Sequence, residues 1–431
     1  MITPIKLQIE KAVYGGDGLA HLSTSGKAVF VPLTLPGEEV QATLLEEKRN
    51  FARAESTSIL VASPHRTAPS CSYFGVCGGC QYQHAQYEAQ LHMKREILRE
   101  MLTRARVTLP QPISTLVGEP WAYRNRIRFA LTADGHLAYR SRASHALIEV
   151  NSCPIAAPVL VTTAQAVAAH ALAHPAPVPL QEVELFTNHD ESELLLTFHV
   201  EQEPDRKEAL AWLEKLHAAL PRHVTGLRME LANGAFESTT LASSGHASLS
   251  YLVSGMQYRV DAGAFFQVNR FLLDRFVELV TGHVAHANFV WDLYAGVGLF
   301  AQPIAARTVR VHAVEIASSS QDALIHNLEG TSGTAFASTT LDYLRGNRER
   351  REPRPDAILL DPPRAGLGPE VTQLLNAIHP PEIVYVSCDP ATLARDLKVL
   401  TAERYRIQEI TLVDLFPQTF HLETVVHLRR A

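Results

Sequence analysis

A multi-domain chain is predicted: a small OB-like β-barrel at the N-terminus, an α+β central domain around a four-cysteine knot, and a parallel α/β sheet at the C-terminus. Three observations predict it. Residues 1–61 hold short strand-like runs parted by glycine-bearing turns. Cys71, Cys77 and Cys80 follow in C-x5-C-x2-C spacing, with Cys153 standing 73 residues later. From residue 259 onward, apolar runs alternate with helical stretches. The domains are therefore placed at 1–61, 62–258 and 259–431, about three for a length of 431 residues at ~100–200 per domain.

In the first segment, residues 5–9, 28–31, 40–44 and 52–55 read as strands. Turns carrying Gly15-Gly16-Asp17-Gly18 and Pro36-Gly37 separate them, which suits a small antiparallel barrel. The tip Lys48-Arg49-Asn50-Phe51 joins cations to an aromatic ring, as an RNA-touching loop or an ordinary charged hairpin end would. Residues 63–69 read as a linker. Tyr87, Leu91, Leu98, Met101, Leu102 and Ala105 recur at helical spacing, with Lys94, Arg95 and Arg99 on the other side. That predicts one long amphipathic helix near 87–105, packed on the C-terminal domain.

Residues 110–258 mix strand-like and helix-like stretches. Arg124, Arg126 and Arg128 alternate, and Arg140 and Arg142 follow across an Asp134-Gly135 turn. Such a face can hold phosphates or lie solvated. Strands at 288–292, 309–314, 357–361 and 383–387 then alternate with helices, so ligands should bind at the strands' carboxyl ends. Residues 345–354, where arginines alternate with Glu349 and Glu352, read as a solvated loop.

Apolar residues make up 46% of the chain, ample for more than one core, and the net charge of −6 argues against a uniformly basic nucleic-acid sleeve. The opening residues show neither a basic n-region nor an apolar h-region, and no run nears the ~18 apolar residues of a membrane span. A cytoplasmic protein without membrane contact is expected. In that reducing setting, five cysteines point to metal ligation or catalysis more than to disulfides.

Asp292-Leu293-Tyr294-Ala295-Gly296-Val297-Gly298 follows an apolar strand and precedes a helix, as in a mononucleotide-binding βα loop, although two glycines alone also make an ordinary turn. The next strand ends at Glu315, where a carboxylate can accept both ribose hydroxyls. Without a Walker lysine or a pyrophosphate-binding G-x-G-x-x-G, S-adenosylmethionine fits better than ATP or NAD. Asp361-Pro362-Pro363-Arg364 ends a third strand with a rigid exit. Asp-Pro-Pro loops serve exocyclic-nitrogen methylation when an aromatic residue follows, and Arg364 argues against that chemistry here. Cys388 ends the fourth strand ahead of Pro390, and the helix start there is expected to lower its pKa, although a buried strand cysteine can equally be packing. Glu423 and His421 compete as its partner base, separated only by spacing. The other four cysteines are the ligand count of a four-thiolate centre, zinc or iron–sulfur. Their x5 spacing and closed count argue against a radical-type open cluster.

Ser387-Cys388-Asp389-Pro390 with Thr392, Arg395 and Asp396, Phe416-Pro417-Gln418-Thr419 with His421 and Glu423, Asp361-Pro362-Pro363-Arg364-Ala365-Gly366, Phe265-Phe266-Gln267-Val268-Asn269 and Cys77-Gly78-Gly79-Cys80-Gln81 together resemble the RNA uracil-5-methyltransferase family. The resemblance covers nearly the whole chain. It implies a TRAM barrel over 1–61, a four-iron four-sulfur (4Fe-4S) cluster on Cys71, Cys77, Cys80 and Cys153, and a Rossmann-like S-adenosylmethionine domain. By position it implies Cys388 as nucleophile, Glu423 as base, and Gln267, Tyr294, Glu315 and Asp361 around the cofactor. Asp342 stands where an Asn or Asp contacts the adenine edge. Leu299 departs from the pattern, since many members have a polar residue after the second glycine. Barrel and cluster together resemble the ribosomal-RNA branch, implying structured RNA, 23S ribosomal RNA above transfer RNA, as partner of a monomer.

The chemistry agrees with the resemblance. Carbon-5 of uracil is a poor nucleophile until a thiolate adds at carbon-6, and a base must then remove the carbon-5 proton, a role worth ~10²- to 10⁴-fold. A stacked uridine must be flipped out or taken from a loop. Cytosine-5 or exocyclic-amine methylation, and an idle RNA-binding module, are the competing readings. The four-cysteine knot is expected to position RNA and take no part in methyl transfer.

Overall fold

The computed structural model describes residues 4–109, 112–132, 134–232, 238–307, 309–350, 353–402 and 404–431. At the N-terminus, strands Ile5–Gln8, Lys11–Ala12, Asp17–His21, Ala28–Pro32, Glu39–Glu47 and Phe51–Val61 form one sheet in the order first, fifth, sixth, fourth, third, second. The sheet curls: the Glu10 N–H donates to Leu19 O at 2.8 Å, drawing the end of the first strand onto the third. Val29, Val31, Val40, Ala42, Ala52 and Ala54 alternate inward and are buried. Two details differ from the sequence reading. Asp17 and Gly18 open a strand and are not turn, and Ala28–Pro32 pairs with Phe51–Val61 in parallel. The 48–51 tip closes a hairpin, with Lys48 Nζ 5.5 Å from the Phe51 ring centroid and 2.9 Å from Glu46.

The central sheet has seven strands, in the spatial order Leu147–Glu149, Leu137–Arg140, Arg126–Leu131, Leu180–Thr187, Leu194–Val200, Val224–Ala232, Ser238–Gly245. Helices Pro158–Ala173 and Arg206–Ala219 bury Leu160, Val167, Trp212 and Leu213 against it. The arginine face is neither free for phosphate nor simply solvated. Arg128 pairs with Glu184 at 2.7 Å, Arg140 with Glu182 at 3.2 Å, and Arg142 reaches across to Glu55 of the barrel at 2.7 Å. Arg126 lies 4.0 Å over the Phe186 ring and donates to Ala264 O at 2.8 Å. The carboxylates that answer Arg128 and Arg140 come from the Leu180–Thr187 strand, 42–56 residues away, and the one that answers Arg142 comes from the barrel.

Eight strands make the C-terminal sheet, ordered Gly333–Ala337, Arg310–Glu315, Phe289–Leu293, Ala357–Leu360, Glu382–Ser387, Glu423–Arg430, Tyr405–Val413, Ser114–Leu116. The first five run parallel, Glu423–Arg430 runs against them, and Ser114–Leu116 joins the far edge from the segment preceding the central sheet. Phe289–Leu293 and Ala357–Leu360 are buried along their whole length, as strands covered on both faces must be. The long helix spans Tyr87–Arg104, and its Ile97, Leu98 and Leu102 share a core with Trp291, Leu393 and Leu397. Lys94 overturns its place on the solvent side of that helix. It is fully buried, 2.6 Å from Asp414, a carboxylate that a helical repeat does not reveal. The 345–354 run is likewise no plain loop: helix Thr340–Arg350 continues through its first part, with Arg345 paired to Glu370, and residues 351–352 lie outside the described residues. Among the described residues no helix is long and apolar enough to cross a membrane.

Candidate active site

Adjacent strands of the C-terminal sheet deliver one functional group each to a single edge. Glu315 closes Arg310–Glu315, Tyr294 follows Phe289–Leu293, Asp361 follows Ala357–Leu360 and Cys388 follows Glu382–Ser387. Because Glu423–Arg430 runs antiparallel, its first residue lies at that same edge. Ser387 pairs with Thr424, and continuing the register sets Cys388 opposite Glu423. At ~4.8 Å per strand, the row spans roughly 20 Å. Gln267 enters from the loop after the Met256–Asp261 strand. Gln267, Tyr294, Glu315, Asp361, Cys388 and Glu423 all line one cleft of about 730 Å³, walled by Phe265, Phe266, Ile316 and Phe416 with Arg364 and His421 beside them. That is the size of a small-molecule site.

Burial pushes the Cys388 thiol up to about 12, helped by the Glu423 and Asp361 carboxyls and opposed by Arg364. This corrects the expectation that the helix start lowers it. Asp389 caps helix Pro390–Leu400, its Oδ1 accepting from the N–H groups of Ala391 at 3.0 Å and Thr392 at 2.9 Å. The positive helix end is thus answered by a carboxylate before the sulfur can use it. Glu423 is 3% exposed, its Oε1 lacks a hydrogen-bond partner among the described residues, and burial followed by Asp361 raises its pKa well above the carboxylate range. Burial raises Asp361 as well.

His421 behaves in the opposite sense. Burial and then Arg364, whose Nη2 stands 3.4 Å from its Nδ1, push its pKa down to about 4. A neutral imidazole beside a guanidinium is a poor base, which favours Glu423 over His421 on grounds beyond spacing.

Glu315 is less open than the sequence suggests. Its Oε2 accepts from Gly296 N–H at 2.9 Å, and its Oε1 from the N–H groups of Ile316 at 2.8 Å and Ala317 at 2.7 Å. About one of its ~four lone-pair positions is left for a ribose hydroxyl. Tyr294 sits at φ 65° at the turn, and burial raises its phenol pKa. A Cβ on Gly298, at φ +88°, would come within 2.9 Å of Leu324, so this turn requires glycine. The carbonyl of Leu299 is already taken by the Tyr258 hydroxyl at 2.9 Å. Asp342 does not join the cleft. It accepts from Thr339 Oγ1 at 2.7 Å at the start of helix Thr340–Arg350 and faces Arg345, as a capping residue does.

The sequence reading missed two residues here. Asp292, at the foot of the turn, is 1% exposed, with neither carboxyl oxygen hydrogen-bonded among the described residues, and burial and then Asp361 raise it well above the usual range. Its apolar flanks hid it. Tyr14 reaches over from the barrel, edge-on to Phe420 at 5.5 Å, and its phenol is raised by burial and by Asp389 beside Cys388. No local signal marks it.

Cys71, Cys77, Cys80 and Cys153 line a separate cavity of about 520 Å³ and carry free thiols. Among the described residues, no three His, Cys, Asp or Glu side chains converge as a ready metal site. Burial raises the thiols of Cys77, Cys153 and Cys80, the last to about 12. Arg124 lines the cavity with a buried Nε that has no hydrogen-bond partner among the described residues. A buried guanidinium beside four thiols fits an anionic thiolate centre in charge and in donor chemistry.

The profile of the tRNA (uracil-5-)-methyltransferases matches residues 86–337 and 351–431. The chain belongs to this family. The methyltransferase also matches the TRAM domain over residues 5–57, which accounts for the curled sheet. Among its relatives is the 23S rRNA (uracil(1939)-C(5))-methyltransferase RlmD of Halomonas elongata, 31% identical, with 98% of this chain and 89% of that protein covered. The RlmD of Klebsiella pneumoniae strain 342 is 33% identical over 96% of this chain and 93% of its own, and an uncharacterized RNA methyltransferase of Aquifex aeolicus is 32% identical over 99% and 98%. The crystal structure of Pyrococcus abyssi tRNA (uracil-54, C5)-methyltransferase with S-adenosyl-L-homocysteine superposes with a TM-score of 0.78 at 22% identity, covering 98% of this chain and 99% of that one, so this RNA uracil-5-methyltransferase shares its fold.

Proposed function

We propose that the enzyme methylates carbon-5 of a uridine in 23S ribosomal RNA through a covalent bond between Cys388 and carbon-6. The observation carrying this reading is the Ser387–Thr424 register, which brings the adjoining Cys388 and Glu423 to one sheet edge, with Asp361 and Arg364 in the same cleft. S-adenosylmethionine, when bound, supplies an electrophilic methyl group. Gln267, Tyr294, Glu315 and Asp361 would hold it, and Asp342 is left out of that set. The Cys388 thiol gives up its proton to solvent, its sulfur bonds to carbon-6, and the carbon-5–carbon-6 π pair moves into an enolate from which carbon-5 can accept the methyl. Glu423 then takes the carbon-5 proton, the C–H pair closes the ring double bond, and the carbon–sulfur bond breaks to release Cys388. Arg364, which opposes the charge on both Cys388 and Glu423, steadies the anionic forms on the way.

In this reading residues 1–61 are an RNA-binding TRAM barrel, 62–258 a cysteine-bearing central domain and 259–431 the catalytic domain, with helix Tyr87–Arg104 and strand Ser114–Leu116 packed on the last. The reading takes the chain as a cytoplasmic monomer; the residues named in the cleft all come from one chain. Cys71, Cys77, Cys80 and Cys153 would hold a 4Fe-4S cluster. Four thiolates suit zinc or a cluster by ligand count, and the likeness to the family favours the cluster. Protein purified without oxygen should be brown and carry about four irons per chain; a colourless protein with one zinc would overturn the cluster.

The RNA target is tested by incubating the protein with unmodified transcripts of 23S ribosomal RNA and of transfer RNAs, then mapping methylated nucleosides by mass spectrometry. The proposal expects 5-methyluridine at one site of 23S ribosomal RNA. Methylation of transfer RNA alone, or 5-methylcytidine, would overturn it.

A further inference from the structure

Residues 414–422 connect the strands Tyr405–Val413 and Glu423–Arg430, bring Phe416 and His421 to the cleft and then deliver Glu423. Four successive carbonyls of this loop are each gripped from elsewhere in the chain. Asn269 Nδ2 donates to Leu415 O at 3.1 Å, Lys94 Nζ to Phe416 O at 3.0 Å and the Tyr123 hydroxyl to Pro417 O at 3.1 Å. The N–H groups of Gln81 and Tyr82, next to Cys80, both donate to Gln418 O at 3.0 Å. Gln90 clasps the Gln418 residue from both sides, accepting from its N–H at 3.0 Å and donating to its Oε1 at 2.9 Å. Gln418 itself sits at φ 68°, a backbone conformation that needs such support.

Lys94 is the one cation among these donors and is fully buried. Its Nζ also lies 2.6 Å from Asp414 Oδ1, while Asp414 Oδ2 accepts from the Tyr87 hydroxyl at 2.9 Å. Taking an ammonium and a carboxylate out of water is costly enough that apolar pairs of the same volume often hold a fold equally well. An apolar pair cannot grip a carbonyl at the entrance to the cleft. We infer that Lys94 is a positioning residue, which acts through residues 414–418 to hold Glu423 where it can remove the carbon-5 proton. This rests on the proposed role of Glu423, whose carboxyl must keep within ~3 Å of that proton's carbon-bound position. The step that Lys94 governs is proton removal: Glu423 takes the proton, the C–H electron pair forms the ring double bond, and the carbon–sulfur bond breaks. A displaced Glu423 therefore leaves the methylated adduct on Cys388 unresolved.

The test compares wild type, Glu423→Gln and the double variant Lys94→Met/Asp414→Leu, which removes both charges together. Each is incubated with unmodified RNA transcript and S-adenosylmethionine. The readouts are kcat, KM for S-adenosylmethionine and the fraction of protein–RNA adduct surviving denaturing electrophoresis. Glu423→Gln should trap adduct. The double variant should keep KM within about twofold, lose about 10²-fold in kcat and also trap adduct. A double variant with wild-type kcat, or with lowered kcat and no added adduct, would overturn the inference, because a merely structural role slows every step alike. Should the double variant not fold, Lys94→Arg, which keeps a cation beside Asp414 but forces a wider group into the fully buried space at Phe416 O, carries the same test with the same two outcomes. If Glu423→Gln itself traps no adduct, the role of Glu423 fails and this inference falls with it; trapping by Glu423→Gln but by no Lys94 variant refutes this inference alone.

Discussion

Burial is the leading cause that raises the pKa of both Cys388 and Glu423. Two pH dependences follow. With its pKa near 12, Cys388 gains thiolate about tenfold per pH unit across the neutral range, so the rate of adduct formation measured by rapid quench should climb between about pH 6.5 and 9 with a slope near one. A plateau over that window would mean that the thiol is already ionised. For Glu423 the folded pKa lies above the unfolded one, so its contribution to stability is fully present below ~4.3 and is lost as pH rises through the folded value. Glu423→Gln, which does not titrate, should therefore be the more stable protein at neutral pH, and the difference should vanish near pH 4 in denaturant melts. The position of Cys388 at a strand end was legible from its apolar run and the following proline. Its protonation was not, because that depends on a cap at Asp389 and on acids brought together by the sheet.

At the scale of elements, the loop after Asp361 is pinned by the helix after Cys388. Asp396 accepts from the Leu367 N–H at 2.8 Å and the Tyr385 hydroxyl at 2.9 Å, and Thr392 Oγ1 donates to Arg364 O at 3.1 Å. Gly366 makes room for this at φ +72°, where a Cβ would fall 2.6 Å from Asp396 Oδ2 and 2.7 Å from Arg395 Nη2. Gly366→Ala should cost more than ~1 kcal/mol in chemical denaturation and should lower kcat, since Arg364 moves with the loop. Helix Tyr87–Arg104 and the parallel strands were legible because their apolar periods are strong. Lys94 was misplaced for the same reason: period alone assigns a cation to water, and the partner that buries it lies 320 residues on in Asp414. The strand Glu423–Arg430 was read as a motif and not as an element, so the register linking Glu423 to Cys388 emerged only with the fold.

Across the whole molecule, the barrel, the cysteine-bearing segment and the catalytic sheet meet around one cleft. Tyr14 brings the barrel to Phe420, and Gln81 and Tyr82 bring the neighbourhood of Cys80 to Gln418. Sequence placed these parts in order but could not show that they touch, because each contact joins segments hundreds of residues apart through single side chains or backbone groups. The cysteine-bearing segment thus lies against the loop that leads to Glu423. The central claim is methylation at carbon-5 through Cys388, and RNA carrying deuterium at carbon-5 of its uridines tests it most directly. Nucleoside mass spectrometry should show one deuterium lost for each methyl gained with the wild-type enzyme, and neither change with Cys388→Ala. A methyl gained with the deuterium retained, or full activity in Cys388→Ala, would contradict the account.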